Sequence, residues 1–217
     1  KNLSVEDLIP EEENALVLTA GGYIKRTNPG EYKRQKRGGV GVIDLDTKEE
    51  DFVTNFLTAS THDDLLFFTD RGKAYQIKMY DIPEGRRATK GKSVMNFISL
   101  SAEEKVTSIL AMPKETKNIV GSLFMVTEKG VAKKVSAKSF IDVRASGIIA
   151  IKLAPLDRLI SVQLVEKGDD LSIVTREGQS IRFKEGDVRE MGRAAGGVRG
   201  IKLTPPRRGE DNGDAIV

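Results

Sequence analysis

The 217-residue sequence contains no cysteine, no tryptophan and only one histidine. Disulfides, thiolate catalysis and cysteine-ligated metal sites are therefore excluded, as is a metal site built from several histidines. No apolar run approaches the roughly 20 residues of a membrane helix, and the N-terminus lacks the apolar segment of a signal peptide. We therefore expect a cytoplasmic chain with no membrane partner and no cofactor of its own.

A large excess of either charge is also absent, because 35 Lys and Arg against 32 Asp and Glu leave a net charge of +3. The positions of the charges are more informative than their sum. Residues 23–41 hold six basic residues against one acidic residue, residues 71–92 hold seven against two, and residues 129–144 hold five against one. Polyanion binding, if present, must therefore depend on these local basic stretches.

A phrase of apolar residues followed by Thr-x-x-Gly occurs four times in the chain. It reads ALVLTAGG, LLFFTDRG, LFMVTEKG and LSIVTREG, and the four threonines are Thr19, Thr69, Thr127 and Thr175. A second glycine follows each threonine after 20 to 22 residues, at Gly39, Gly91, Gly147 and Gly197. Two glycines in register four times predict a structural repeat of about 50 residues.

Each repeat shows the alternation of a two-faced strand, as where Tyr75 and Ile77 alternate with polar residues. The first glycine of each repeat suits a tight hairpin turn. Further strands are predicted at Val42–Leu45, Phe52–Ala59, Val94–Phe97, Val106–Met112, Ala150–Leu153 and Leu159–Val165, and no amphipathic helix is evident. Repeats of this kind predict an all-β, propeller-like fold of about four blades, each a four-stranded antiparallel sheet.

The predicted domain organisation is an acidic lead-in at residues 1–13 and one β domain at residues 14–217. We expect its blades at about 14–61, 62–116, 117–166 and 167–217. Residues 213–217, GDAIV, resemble the start of a closing strand or of a fifth repeat, and we favour the closing strand. On either interpretation we expect the chain to be part of a longer protein.

The basic stretches occupy the same part of successive repeats, so radial placement would gather them on one rim. Such a rim suits the phosphate backbone of DNA, which is contacted through many weak, sequence-independent cationic interactions. No recognition helix or zinc finger is evident. A propeller that serves as a protein-interaction scaffold is the alternative, and an independent enzyme is disfavoured because no convergent catalytic set is found.

The segment QKRGGVG at residues 35–41 resembles the Q-R-R-G-G-K-G box of the C-terminal domain of bacterial DNA gyrase A. The preceding GGYIKR and the later MGRAAGGVRGIKL are also similar to that domain, and the likeness begins at about Asn14. The resemblance implies a β-pinwheel whose basic rim wraps duplex DNA, so that the ATP-driven holoenzyme can introduce negative supercoils. It also implies a non-catalytic domain, monomeric in isolation, that works with the rest of gyrase A and with gyrase B.

Two box positions depart from the family pattern, since Lys36 replaces an arginine and Val40 a lysine. The first change loses the bidentate guanidinium and the second removes a cation, which bears on the strength of wrapping. The corresponding domain of topoisomerase IV, whose box is typically degenerate, is the nearest alternative. The candidate DNA-binding residues are those of the box together with cations of the basic stretches: Lys25, Arg26, Lys33, Arg34, Gln35, Lys36, Arg37, Gly38, Gly39, Gly41, Lys73, Lys78, Arg86, Arg87, Lys90, Lys92, Lys133, Lys134, Arg144, Arg182, Arg193 and Arg199.

Overall fold

The computed structural model describes residues 4–31, 51–86, 89–114, 120–205 and 213–217. The described residues form 14 strands: β1 (Glu13–Thr19), β2 (Tyr23–Thr27), β3 (Val53–Ser60), β4 (Asp64–Thr69), β5 (Lys73–Lys78), β6 (Lys92–Ser93), β7 (Val106–Met112), β8 (Ser122–Thr127), β9 (Val131–Ser136), β10 (Ile148–Ile149), β11 (Leu159–Val165), β12 (Asp170–Val174), β13 (Ser180–Lys184) and β14 (Val198–Arg199). The helices among these residues are single 3-10 turns at Glu6–Leu8, Pro29–Glu31, Met79–Asp81, Val94–Asn96, Ala137–Phe140 and Glu185–Asp187.

The strands form four antiparallel sheets. Their orders are β3-β1-β2-β6, β10-β5-β4-β7, β11-β8-β9-β14 and β12-β13. The all-β prediction is therefore confirmed, and three sheets have the four strands expected of a blade. The fourth has only two strands among the described residues, since residues 213–217 contribute a single bridge, between Ile216 and Thr175, and no exchanged strand pairs with β13. That bridge agrees with the interpretation of GDAIV as the start of a closing strand.

The chain divides into two compact units. The first comprises Lys1–Leu65, Gln76–Leu100 and Ala111–Lys114, and it contains the first sheet. The second comprises Leu66–Tyr75, Ser101–Leu110 and Glu115–Val217, and it contains the third and fourth sheets. Every residue of β4 and β8 is buried. These central strands therefore pack on both faces, which accounts for their uninterrupted apolar sequences.

One strand of each four-stranded sheet is supplied by the following repeat. In the first sheet β6 pairs with β2, and in the second and third sheets β10 pairs with β5 and β14 with β9. We call β6, β10 and β14 the exchanged strands, and the segments 84–91, 142–147 and 189–197 that lead into them the crossovers. Because each exchanged strand binds a neighbouring hairpin, consecutive repeats are tied together by main-chain hydrogen bonds.

The exchanged strands begin earlier than the sequence predicts. The segments Val94–Phe97 and Ala150–Leu153, which the sequence predicts as strands, form a 3-10 turn and irregular chain, so both predictions are wrong. After two paired residues the amide of Val94 donates to the carbonyl of Gly22 at 2.8 Å, and the amide of Ala150 donates to that of Gly72 at 2.8 Å. The glycine carbonyl of each hairpin turn therefore accepts a hydrogen bond from the amide that would otherwise have continued the strand pairing.

The second glycine of a repeat lies against the hairpin of the preceding repeat. Gly197 has a φ of +92°, and a Cβ atom there would lie 2.7 Å from the carbonyl oxygen of Ala132 in β9. A Cβ atom at Gly91 would lie 2.5 Å from the carbonyl oxygen of Ile24 in β2. Only glycine allows the crossover to approach the preceding hairpin this closely.

A carboxylate closes each Thr-x-x-Gly turn from the start of the outer strand. The Asp51 carboxylate accepts hydrogen bonds from the Thr19 hydroxyl and the Gly21 amide, both at 2.8 Å. The corresponding acids of the later repeats are Glu104, Asp157 and Asp214, which accept from the Thr69 hydroxyl, the Lys129 amide and the Glu177 amide. This acid is a third recurring element that fixes the turn geometry.

No helix among the described residues has the length and apolar character needed to cross a membrane.

Candidate nucleic-acid interface

The whole box lies outside the described residues, as does the strand predicted at Val42–Leu45. Lys33, Arg34, Gln35, Lys36, Arg37, Gly38, Gly39, Gly41 and Arg87 all fall outside the described residues. The box includes Gly39, which holds the same repeat position as Gly91 and Gly197.

The exposed candidates cluster on the exchanged strands and crossovers. Lys92 lies in β6 and Arg199 in β14, and each forms part of a two-residue pairing at a sheet edge. Arg86, Arg144 and Arg193 lie in the three crossovers, the first two exposed and the third half-buried. Lys73 is exposed at the start of β5, paired with Ile149 of an exchanged strand. Each of the three exchanges thus brings at least one of these cations, although the cations stand at different positions of the repeat.

In the second unit an open groove of about 820 Å³ runs beside β14. Its cationic lining consists of the exposed side chains Lys129, Lys152, Arg199 and Lys202. The one carboxylate in its lining, Asp157, is buried and accepts hydrogen bonds from the amides of Lys129 and Arg158 at 3.0 and 2.8 Å. The groove therefore presents four cationic side chains, and its single carboxylate is already hydrogen-bonded to main-chain amides.

Some candidate cations are held by other protein groups. The Lys78 ammonium lies 2.9 Å from the Asp64 carboxylate and 3.9 Å from that of Glu6. Arg182 pairs with Asp170 at 2.6 Å, and this bond lowers the pKa of the Asp170 carboxyl. The guanidinium of Arg26 donates to the carbonyl of Ile82 at 2.9 Å, and the Lys90 ammonium lies 3.8 Å above the centre of the Tyr23 ring. Phosphate must compete with these partners.

Three candidates lie in the interior, with exposed fractions of 1% for Lys25, 0% for Lys133 and 7% for Lys134. The Lys134 ammonium pairs with the Glu185 carboxylate, which lowers the pKa of that carboxyl, and it also donates to the Glu185 carbonyl at 3.1 Å. Side chains without exposed surface cannot reach a duplex lying on the domain. We therefore leave these three lysines out of the candidate interface.

Lys133 has an unusual electrostatic setting. Its ammonium donates to the carbonyls of Ala150 at 2.8 Å and Ala195 at 2.9 Å, and also to that of Arg193. Burial, with a smaller effect from the nearby Arg193 charge, lowers the pKa of Lys133 to about 8. The residue is still charged at neutral pH, so all three protons have an acceptor.

Three lysines of the groove, Lys129, Lys152 and Lys202, are not among the candidates that the sequence predicts. A signal for two of them was available, because the tripeptide Ile-Lys-Leu occurs at 151–153 and again at 201–203, directly after the exchanged strands. The structure explains this recurrence, since the Ile and Leu side chains of each copy cover a hairpin turn, at Gly72 for the first and at Gly130 for the second. The lysine between them is left exposed in both copies.

Within the part of the chain that is described, no group of three or more His, Asp or Glu side chains is suited to hold a metal ion. The groove and the exposed cations described above form a cationic surface.

A family model described as DNA gyrase C-terminal domain, beta-propeller, matches residues 13–60, 63–111, 121–166 and 169–206. The chain belongs to the DNA gyrase C-terminal domain family. The DNA gyrase A protein of Clostridium acetobutylicum is 45% identical over 199 residues, which is 92% of this chain and 24% of the relative. That of Lawsonia intracellularis is 42% identical over 216 residues, 100% of this chain and 25% of that protein. The chain therefore spans about a quarter of the length of these gyrase relatives.

Solved structures agree with the family assignment. A DNA gyrase A C-terminal domain is similar with a TM-score of 0.71 and 29% identity, covering 95% of this chain and 64% of that one. The C-terminal domain of a DNA topoisomerase IV is similar with a TM-score of 0.73 and 25% identity, covering 96% and 61%. The predicted propeller-like fold and the predicted gyrase family are both confirmed.

Proposed function

We propose that this gyrase C-terminal domain binds duplex DNA and wraps it, without catalysing a reaction itself. The observation that carries the proposal is the recurrence of exposed cations on exchanged strands and crossovers, together with the groove lined by Lys129, Lys152, Arg199 and Lys202. Membership of the gyrase family supports it. Within a complete gyrase, which we place in the bacterial cytoplasm, the wrapped duplex would be passed to the rest of gyrase A and to gyrase B for ATP-dependent strand passage.

Binding on this proposal is electrostatic and independent of base sequence. Each phosphate that a Lys or Arg neutralises releases condensed counterions, so affinity falls with salt by a slope of about 0.9 per contact on logarithmic axes. Bending a site of 20–30 base pairs costs on the order of 1–6 kcal/mol, and many such contacts together can offset that cost. Base readout is not expected, because the described residues form no α-helix that could enter the major groove.

A topology assay tests the proposal most directly. The chain is bound to relaxed circular DNA, a separate topoisomerase removes unconstrained supercoils, the protein is removed, and the change in linking number is read from a gel. A positive shift supports chiral wrapping of the gyrase type. Lys202→Glu should reduce the shift, whereas Lys167→Glu, the same charge reversal at an exposed position outside the groove, serves as the matched control.

The second candidate function is DNA binding without chiral wrapping. The similarity to a topoisomerase IV C-terminal domain favours it as the alternative. Duplex binding with no shift in linking number would favour that function. Absence of any salt-dependent duplex binding would contradict both and leave the interaction scaffold.

A further inference from the structure

Lys25 and Lys133 occupy the same position in two repeats, three residues after the hairpin glycines Gly22 and Gly130. Both are among the largest fully buried side chains of the chain. Burying an ammonium group is costly unless its protons find acceptors, so a lysine at this position needs a structural reason.

The acceptors of Lys133 supply that reason. Arg193 and Ala195, two of its three carbonyl partners, belong to the crossover 189–197, and Ala150 directly follows the exchanged strand β10. The amide of Lys152 donates to the carbonyl of Ala195 as well, at 3.3 Å. One ammonium therefore ties the crossover that carries Arg193 to the segment that carries the groove residue Lys152.

Lys25 makes the equivalent contact in the other unit. Its ammonium donates to the carbonyl of Arg86 at 3.3 Å, in the crossover 84–91. Arg86 lies five residues before Gly91 and Arg193 lies four residues before Gly197, so the two acceptor carbonyls are one position apart in their crossovers. A Cβ atom at Gly91 would lie 3.1 Å from the Cβ atom of Lys25, and one at Gly197 would lie 3.2 Å from that of Lys133. The glycine of each crossover thus packs directly against the aliphatic part of the buried lysine side chain.

We propose that Lys25 and Lys133 are positioning residues for DNA binding: each holds the main chain of a crossover arginine from the interior and touches no DNA itself. The proposal rests on the proposed function for the role of Arg86 and Arg193. Their side chains leave the crossover from a main chain that the buried ammonium fixes, so the cation offered to phosphate is pre-organised and loses less freedom on binding.

Lysine labelling tests the proposal in the unaltered chain. The chain is treated with an amine-acetylating reagent, with and without duplex DNA, and modified sites are read by mass spectrometry. We expect Lys25 and Lys133 to be unmodified in both samples and to react only after denaturation. The groove lysines Lys152 and Lys202 should react in the free chain and be protected by DNA. Labelling of Lys25 or Lys133 in the free chain, with protection by DNA, would overturn the proposal.

The variant Lys133→Met, which keeps most of the stem and removes the donors, separates positioning from contact. We expect duplex affinity to fall about threefold to tenfold, the range expected when one side chain must be immobilised on binding. The slope of affinity against salt should not change, whereas Lys152→Met should lower that slope by about 0.9. An equal loss of slope in Lys133→Met, or unchanged affinity in a folded variant, would contradict the proposal.

Tyr75→Phe is the matched control, since Tyr75 holds the same repeat position but is hydrogen-bonded to Glu104. Its duplex affinity should equal that of the unaltered chain. If Lys133→Met does not fold, Lys25→Met tests the same role in the other unit, and the labelling experiment needs no variant.

Hydrogen exchange distinguishes failure of this inference from failure of the proposed function. A chain that binds no duplex refutes the proposed function, yet Lys133→Met should still accelerate exchange of the Lys152 amide, whose acceptor is the clamped Ala195 carbonyl. Unchanged exchange there would refute the positioning role whatever the result with DNA.

Discussion

Tyr75 and Lys133 stand at the same position of consecutive repeats, and both are buried against the glycine that precedes an exchanged strand. The Tyr75 hydroxyl donates to the Glu104 carboxylate, with distances of 2.8 and 2.9 Å to its two oxygens. The Lys133 ammonium donates instead to three main-chain carbonyls. In the second repeat the buried hydroxyl of Tyr75 is therefore hydrogen-bonded to a side chain. In the third repeat the buried ammonium of Lys133 is hydrogen-bonded mainly to carbonyl groups of the crossover.

The difference follows from the acid that closes each turn. Glu104 accepts from the Thr69 hydroxyl at 2.7 Å and the Ser101 amide at 3.0 Å while also bonding Tyr75. The corresponding acid of the next repeat, Asp157, is one methylene shorter and bonds main-chain amides. In both repeats a buried side chain thus packs against the crossover from the interior. Its hydrogen-bond partners differ because the acid that closes the turn differs.

The largest effect on stability is expected from Glu104→Leu. The change leaves the Tyr75 and Thr69 hydroxyls and the Ser101 amide without their acceptor, and unsatisfied buried donors cost about 1–3 kcal/mol each. We expect the free energy of unfolding to fall by about 3–5 kcal/mol, measured by urea denaturation. Glu103→Leu is the control, because Glu103 makes an exposed ion pair with Arg71 at 3.5 Å, which is worth less than about 1 kcal/mol. Equal losses in the two variants would show that Glu104 has no special role.

Gly147→Ala should come next. Gly147 has a φ of +87°, and a Cβ atom there would lie 2.5 Å from the Tyr75 ring. The positive φ costs about 1–2 kcal/mol and the steric conflict adds about 1–3 kcal/mol. Gly168→Ala isolates the first contribution, because Gly168 has a φ of +95° and nothing within 4 Å of the added atom. If both variants lose the same stability by urea denaturation, the Tyr75 ring does not support the crossover.

The repeat and the strands with local signals were well predicted from the sequence. The predicted strands at Val106–Met112 and Leu159–Val165 match β7 and β11 residue for residue. The exchanged strands are misplaced by the sequence because their pairing partners lie 66 to 76 residues away, and a pairing of two residues leaves no periodic pattern. Both glycines of each repeat are visible in the sequence, but the contact of the second glycine with the preceding hairpin is a property of tertiary structure.

The candidate interface was predictable only in part. Exposed crossover cations such as Arg86 and Arg144 are predicted as candidates because they lie in basic stretches, which can be read directly from the sequence. Lys25 and Lys133 could not be recognised as interior residues, because their acceptors are main-chain carbonyls, which every residue has and no sequence pattern distinguishes. Charge therefore predicts which repeats are basic, whereas burial decides which cations are offered to a ligand.

The stability contributions of Glu104 and Lys133 should each depend on pH, in separate ranges. Burial alone would raise the pKa of Glu104, but hydrogen bonds from Thr69, Ser101 and Tyr75 outweigh it and lower the pKa. Its contribution is present above the ordinary value of 4.5 and is lost as pH falls through the folded value. The pKa of Lys133 is about 8 when folded against 10.5 ordinarily, so between these values the unfolded chain binds more protons and the free energy of unfolding rises with pH.

Urea denaturation at several pH values checks both contributions. Below pH 4.5 the unaltered chain should lose stability more steeply than Glu104→Leu. From pH 8 to 10.5 it should gain stability relative to Lys133→Met. Parallel curves in either range would mean that the residue titrates alike in the folded and unfolded chains.

The smallest effect on stability, and a large one on DNA, is expected from Lys36→Glu combined with Arg37→Glu. These residues lie outside the described part of the chain, in a polar segment that precedes the second glycine of the first repeat. Because the segment is polar in sequence, we expect the two reversals to change the free energy of unfolding by no more than about 0.5 kcal/mol, so thermal melting should be almost unchanged. DNA bending, measured by energy transfer between the ends of a labelled duplex, should decrease.

Lys133→Met is the comparison variant. It should change both the melting temperature and the DNA bending, since the Lys133 ammonium binds the main chain of a crossover. Intact bending in the double variant would mean that the box does not contact the duplex.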